Sequence, residues 1–314
     1  MSFSYETKNE LCKLPVQKLC CARAEAYGIL LFCNTFSSTE VRIITENPYF
    51  AERLPKLFHK AFGIRFDRQP EAEQEVGKRI FQIIEQKKLD QIINTLGYDP
   101  RQNPVLHINF AMLEDECCRA AFLRGAFFGG GSITDPMKRY HLEMTGSHQQ
   151  ASRELEVLLR ECGYPPKNIA RNGSFITYFK QSDQIEDFLT MIGAPVAAMN
   201  IMSTKLEKDL RNSVNRRLNC DSANLDKSVQ GAQEQLEAIR TLETANVLKD
   251  LPDKLKQTAV LRLENPELSL AELAESFNPP VTKSCLNHRL RKLTGMAKII
   301  KQNMKEEENK DESV

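Results

Sequence analysis

The stretch Cys20 to Phe36 reads CCARAEAYGILLFCNTF, and Cys117 to Ile133 reads CCRAAFLRGAFFGGGSI. A shift of 97 residues sets them in register, with Cys20 over Cys117, Cys21 over Cys118, Ala24 over Ala121 and Gly28 over Gly125. Both read as helices. In each, small residues stand four apart, Ala24 with Gly28 and Ala121 with Gly125, so they share one face. A face with no side chains to hold it off lets two helix backbones approach closely, and the copies are predicted to pack on one another.

The flanking sequence repeats as well. After the first copy, Val41, Ile43 and Thr45 alternate as in a strand, and Pro48 to Phe62 carries an apolar helical stripe of Phe50, Leu54, Leu57, Phe58 and Ala61. After the second, His141 to Thr145 reads as a strand. Ser147 to Cys162 reads as a helix with Leu155, Leu158 and Leu159 inward, stopped by Gly163. Ser174 to Lys180, bounded by Asn172-Gly173, is a closing strand, and Asp183 to Ile192 a final helix. Each unit thus reads as an α-β-β-α-β-β-α module.

Here the segment Leu123 to Ile133, LRGAFFGGGSI, resembles the motif of the LAGLIDADG homing-endonuclease fold. In that fold two such modules pack through paired motif helices, and the resemblance covers residues 10 to 195. The family's nucleases place a carboxylate near the end of each motif helix to hold metal ions against the scissile phosphate. The matching positions in this chain are Gly130 and Cys33, and neither offers oxygen to a hard divalent cation. Asp135 is expected in the turn leaving the second helix, and beyond Cys33 the first copy has no acid until Glu40. The resemblance therefore implies a scaffold without catalytic residues or catalytic metal.

At 314 residues the chain has room for two or three domains. Its 43 basic and 42 acidic side chains nearly cancel, so whole-chain charge points to no partner. Distribution is more informative. From Ser276 to Lys305 there are Lys283, Arg289, Arg291, Lys292, Lys298, Lys301 and Lys305 and no acid, after which the sign reverses through Glu306, Glu307, Glu308, Asp311 and Glu312. No apolar run is long enough for a bilayer, and the first residues lack a signal-peptide core, so a cytoplasmic protein is expected. Nine cysteines, two pairs of them adjacent, suit small buried hydrophobes in a reducing compartment. Neither C-x-x-C nor paired Cys and His at ligand spacing occurs, so neither a metal nor a cofactor is expected.

Residues 201–250 change to long polar helix-formers, with Leu225, Val229, Ala232, Leu236 and Ile239 on one stripe; a connecting helix is the expectation. Asp253 to Leu263 then reads as a first short helix. Ser269-Leu270-Ala271-Glu272 is a capping box opening a second, with Ala271, Leu273, Ala274 and Phe277 inward. Asn278-Pro279-Pro280 breaks it, and Thr282 caps a third, Lys283 to Leu293, whose apolar side is Cys285, Leu286, Leu290 and Leu293. A short helix, a break and a helix with a basic outer face form a helix-turn-helix pattern. The candidate DNA contacts are Ser269, Thr282, Lys283, Ser284, Asn287, His288, Arg289, Arg291, Lys292 and Lys298. Early residues of such a helix face base edges and later cations reach phosphates; Asn287 suits an adenine edge, Lys283 or Arg291 a guanine edge.

The order of parts, with the strings NRRLNCDSANLDKS and PPVTKSCLNHRLRKL, resembles the WhiA family of Gram-positive bacteria. The resemblance implies a DNA-binding transcription regulator tied to cell division, chromosome segregation and, in spore-formers, sporulation. Double-stranded DNA at promoters, and proteins of transcription or division, are the expected partners, with the chain at the nucleoid. A nucleoid-associated division factor with little sequence preference and a residual metal-dependent nuclease are the competing functions. The expected layout is α+β: a duplicated LAGLIDADG-like domain over 1–200, a helical linker over 201–250, an all-α helix-turn-helix domain over 251–305 and an acidic tail over 306–314.

Overall fold

Helix α1 (Phe3–Cys12) precedes the first module, which comprises α2 (Leu19–Phe32), β1 (Thr35–Phe36), β2 (Val41–Thr45), α3 (Pro48–Phe62), β3 (Arg79–Ile83) and α4 (Gln86–Thr95). The second comprises α5 (Glu116–Gly130), β4 (Gly131–Ile133), β5 (Leu142–Gly146), α6 (Gln149–Glu161), β6 (Lys167–Arg171), β7 (Ser174–Phe179) and α7 (Ser182–Ile192). The long α8 (Pro195–Thr244), α9 (Asp253–Glu264), α10 (Leu270–Glu275) and α11 (Lys283–Asp311) complete the chain. The computed structural model describes residues 2–70, 77–98 and 105–311, with side chains to residue 304. The side chains of the acidic tail lie outside these. The chain divides into an α+β unit, Met1–Asp209, and an all-α unit, Leu210–Val314. The division falls within α8, which is one continuous helix of 50 residues.

In the first unit α2 and α5 form the centre. A Cβ added to Gly28 would lie 2.1 Å from the carbonyl oxygen of Phe122, and one added to Gly125 would lie 2.0 Å from that of Glu25. A Cβ added to Gly129 would in turn lie 3.0 Å from the carbonyl oxygen of Ile29. These pairs are offset by 94 to 100 residues, bracketing the 97-residue repeat, so the helices run parallel with like ends together. Backbone touches backbone because both glycines lack the atom that would part them.

Each module lays an antiparallel sheet beside this pair, ordered β1-β2-β3 in the first and β4-β5-β7-β6 in the second. Alternation sends Val41, Ile43, Phe81 and Ile83 inward, and Leu142, Met144, Thr177 and Phe179 likewise. The second module has the full α-β-β-α-β-β-α order. The first departs from it among the described residues: where β6 flanks β7, only an isolated bridge from Arg68 to Gln82 flanks β3. Helices α3 and α6 close the cores from behind; Asn47 caps α3 through Phe50 N at 3.0 Å, and Gly63 ends it at φ 72°.

A buried ionic network ties the modules together. Glu25 on α2 is fully buried and accepts from Arg53 at 2.6 and 2.9 Å and from Arg124 of the second module at 2.9 Å. Arg53 Nη1 also donates to the carbonyls of Cys12 and Leu14, and Arg124 Nη1 to that of Ile192. A carboxylate is tolerated in an apolar core when both its oxygens are hydrogen-bonded to cations, as those of Glu25 are.

Candidate nucleic-acid interface

The all-α unit is built round one stripe of α11. Leu286, Leu290, Leu293 and Ala297 are spaced 4, 3 and 4 residues apart and are all buried. They meet Leu255 and Ala259 of α9, Leu273 and Ala274 of α10, and Phe277 beyond it. The last turns of α8 add Ala238, Ile239 and Leu242 to the same core. Of the apolar stripe expected along residues 225–239, Leu225 and Val229 are instead exposed; only the final turns reach a core.

The local signals set the helix ends. Ser269 Oγ accepts from Glu272 N at 3.3 Å while Ser269 N donates to Glu272 at 2.9 Å, a complete capping box. The Ser269 N–H holds the Glu272 carboxyl below the usual range. Thr282 Oγ1 accepts from Cys285 N at 3.2 Å and opens α11. The break is tied back to α10 by Val281 N on the Ala274 carbonyl at 3.0 Å. From below, the buried Arg262 donates to the Leu268 carbonyl at 2.6 Å and so pins the entry to α10.

With about 100° per residue, Ser284 and His288 point away from the buried stripe and Arg291 stands about 130° from it. Asn287 and Lys298 flank them on one side and Lys292 on the other, so Asn287 and Lys292 diverge by roughly 140°. Thr282, Lys283, Ser284, His288, Arg291, Lys292 and Lys298 are all exposed, as is Ser269; Asn287 is half-buried. Arg289 is half-buried too, with its guanidinium 5.6 Å from the Phe277 ring centre, which gives it a packing role in the turn. The structure thus puts Ser284, Asn287, His288, Arg291 and Lys298 on one side of α11, with Lys283 and Lys292 at its two edges about 180° apart, Arg289 packed on Phe277, and Ser269 at the start of α10. Three expectations need correction. Cys285 and Ala271 are exposed rather than inward, because each lies about 100° or more off its helix's buried stripe. The third helix does not stop at Leu293 but runs to Asp311, since Ala297 and Ile300 continue its contact with the core.

At the other candidate site, the ends of α2 and α5, the positions that resemble nuclease carboxylates are filled differently. A Cβ on Gly130 would lie 2.0 Å from the Thr145 carbonyl oxygen, so no side chain fits there. The Cys33 thiol donates to the carbonyls of Leu30 and Thr35, both at 3.2 Å, and burial pushes its pKa up to about 12. Asp135 lies beyond β4 rather than in the turn directly leaving the helix, and it caps its own turn through Met137 N at 2.9 Å.

Residues 214–297 match the family described as WhiA C-terminal HTH domain, and residues 119–211 match the WhiA LAGLIDADG-like domain. A relative from Ruminiclostridium cellulolyticum, named Probable cell division protein WhiA, is 35% identical over 310 residues, covering 96% of this chain and 99% of its own. The chain belongs to the WhiA family. A second WhiA relative, from Lachnospira eligens, is 36% identical over 313 residues, covering 97% and 99%. The crystal structure of full-length DUF199/WhiA from Thermatoga maritima shares the fold, with a TM-score of 0.59 and 24% identity over 95% of this chain and 98% of that one. The WhiA helix-turn-helix match begins inside α8, in keeping with the contribution of Ala238, Ile239 and Leu242 to that core. The expected stripe included Ile239 but assigned it to a connecting helix rather than to this core. Among the described residues no helix is long and apolar enough to cross a membrane.

Proposed function

We propose that the all-α unit binds double-stranded DNA with the N-terminal half of α11 in the major groove, and that the protein is a transcription regulator acting in cell division. The carrying observation is the run of exposed cations along α11, Arg291 and Lys298 on its outward side with Lys283 and Lys292 at either edge, and no acid between Ser276 and Lys305. Phosphate neutralisation requires such clustering. Lys283, Ser284 and Asn287 at the start of the helix are the base-reading candidates, Arg291 the central cation, and Lys292 and Lys298 phosphate contacts. Thr282 and Ser269 act through their helix ends, whose free N–H groups face a phosphate, and His288 stands beside Arg291 on the outward face. Promoter regions are the expected targets and the nucleoid the expected place; sporulation is the role in spore-formers. Relatives named for cell division support the cellular assignment. The α2 and α5 pair serves as scaffold, without nuclease chemistry or catalytic metal, since neither Gly130 nor Cys33 offers a carboxylate.

The test is binding of the full-length protein to promoter fragments and to random DNA across a salt series. Affinity is expected to fall by orders of magnitude between about 50 and 200 mM salt. Loss of cognate preference in Asn287→Ala with uniform weakening in Lys292→Ala supports sequence reading. Salt-insensitive binding, or none, refutes the assignment of this face.

A further inference from the structure

Cys20 and Cys21 are the second and third residues of α2, and Cys117 and Cys118 hold the same places in α5. Because the glycine seam keeps these helices parallel and in register, their first turns stand side by side. All four sulfur atoms lie within 4.8 Å of one another. Cys20 and Cys21 Sγ are 4.0 Å apart, and Cys21 Sγ approaches the Cys117 carbonyl at 3.7 Å. None of the four is in a disulfide. Burial is graded across the cluster: Cys118 is buried, Cys21 and Cys117 are half-buried, and Cys20 is exposed. The cluster is therefore closed toward the protein and open to solvent on one side, which supplies an entry path.

The donor set is soft throughout, since no carboxylate or imidazole shares the cluster among the described residues. A hard cation needs oxygen. Thiolates in fours select a tetrahedral, zinc-type ion. With sulfur about 2.3 Å from such an ion, tetrahedral sulfurs stand roughly 3.8 Å apart, so the observed cluster needs to contract by no more than about 1 Å. Two helix N-termini converge on the same point, and their positive ends offset part of the charge of a tetrathiolate site.

We propose that Cys20, Cys21, Cys117 and Cys118 form a tetrathiolate site for a divalent cation of the zinc class, one per chain, that staples the two modules at the head of their shared helix pair. Each module contributes two ligands, so the ion closes a contact that neither makes alone.

The experiment uses full-length protein, purified under reducing conditions, supplied with zinc and desalted, and its metal content is measured by plasma emission. One equivalent per chain is expected. Replacement by cobalt should give the thiolate charge-transfer band and the intense visible bands of a tetrahedral thiolate site. Cys20→Ser/Cys117→Ser, which spares the buried Cys118, should lose at least nine-tenths of the metal and the cobalt spectrum. Its circular dichroism checks that the fold persists. Cys220→Ser and Cys285→Ser, exposed thiols elsewhere, should keep both. Chelation should lower the unfolding temperature of the natural sequence and leave that of the double variant unchanged. Substoichiometric zinc, metal retained by the double variant, an iron–sulfur absorption spectrum, or a disulfide among the four as the reduced-buffer state would each overturn the assignment.

Discussion

Substituting Gly125 by alanine tests the central packing of the α+β unit. The new Cβ would stand 2.0 Å from the Glu25 carbonyl oxygen, with Glu25 C at 2.9 Å and Ile29 N at 3.0 Å. Carbon and carbonyl oxygen meet no closer than about 3.3 Å, so about 1.3 Å must be found. The obstructing atoms are helix backbone and cannot rotate away; α2 and α5 must separate. A gap of 0.5–1 Å forfeits about a quarter to a half of each dispersion contact along the seam. Overpacking costs about 1–3 kcal/mol, and the immobile neighbour places this site at the upper end, about 3 kcal/mol, even after the helix propensity gained by alanine. For a unit of this size that is about 6–12 °C in unfolding temperature. The readout is clean, because the chain has no tryptophan and all seven tyrosines, Tyr5 to Tyr178, lie in the first unit. Tyrosine fluorescence therefore follows that unit alone. Gly231→Ala, on the exposed stretch of α8 with nothing within 4 Å of its Cβ, should leave this signal unchanged and stabilise its helix by about 0.5–1 kcal/mol. A Gly125→Ala protein that unfolds at or above the natural midpoint would refute the packing argument.

Glu25→Gln should destabilise the first unit by about 3–5 kcal/mol, by leaving Arg53 and Arg124 without their shared counter-charge; a urea midpoint by tyrosine fluorescence unchanged from the natural protein would contradict this. Ser269→Ala removes half of the capping box and should cost α10 about 0.5–2 kcal/mol, seen as faster hydrogen exchange at the Glu272 amide while the amides of α2 keep their protection. In DNA binding, Lys292→Ala should reduce the slope of log affinity against log salt by about one; an unaltered slope removes this residue from the phosphate contacts. Gly130→Asp should fail to create magnesium- or manganese-dependent cleavage and should lower the unfolding temperature, because its side chain would enter the Thr145 carbonyl; cleavage by the purified variant would show that the scaffold still supports a metal site there.

The local features were legible in the sequence because their causes are local. The Ser269 and Glu272 box, the alternation of Val41, Ile43 and Thr45, and the boundaries of α3 follow from capping chemistry and side-chain period within a few residues. The 97-residue repeat even foretold the pairing of α2 with α5, since matched small residues leave two helices little else to do. What only the tertiary structure decided depends on atoms brought together across that repeat. Glu25, an acid in a small-residue helix, is tolerable only with Arg53 and Arg124 around it, and those lie 28 and 99 residues away. The cysteines carried no ligand spacing within either copy, and it was the parallel register of the helices that placed all four sulfurs in one cluster. Likewise the end of α8 reads as a connecting helix until α9, α10 and α11 supply a core for Ile239 and Leu242. Spacing along a chain reports which face a residue occupies; which face it meets is set by packing, where burial and complementary charge are satisfied for the whole unit at once.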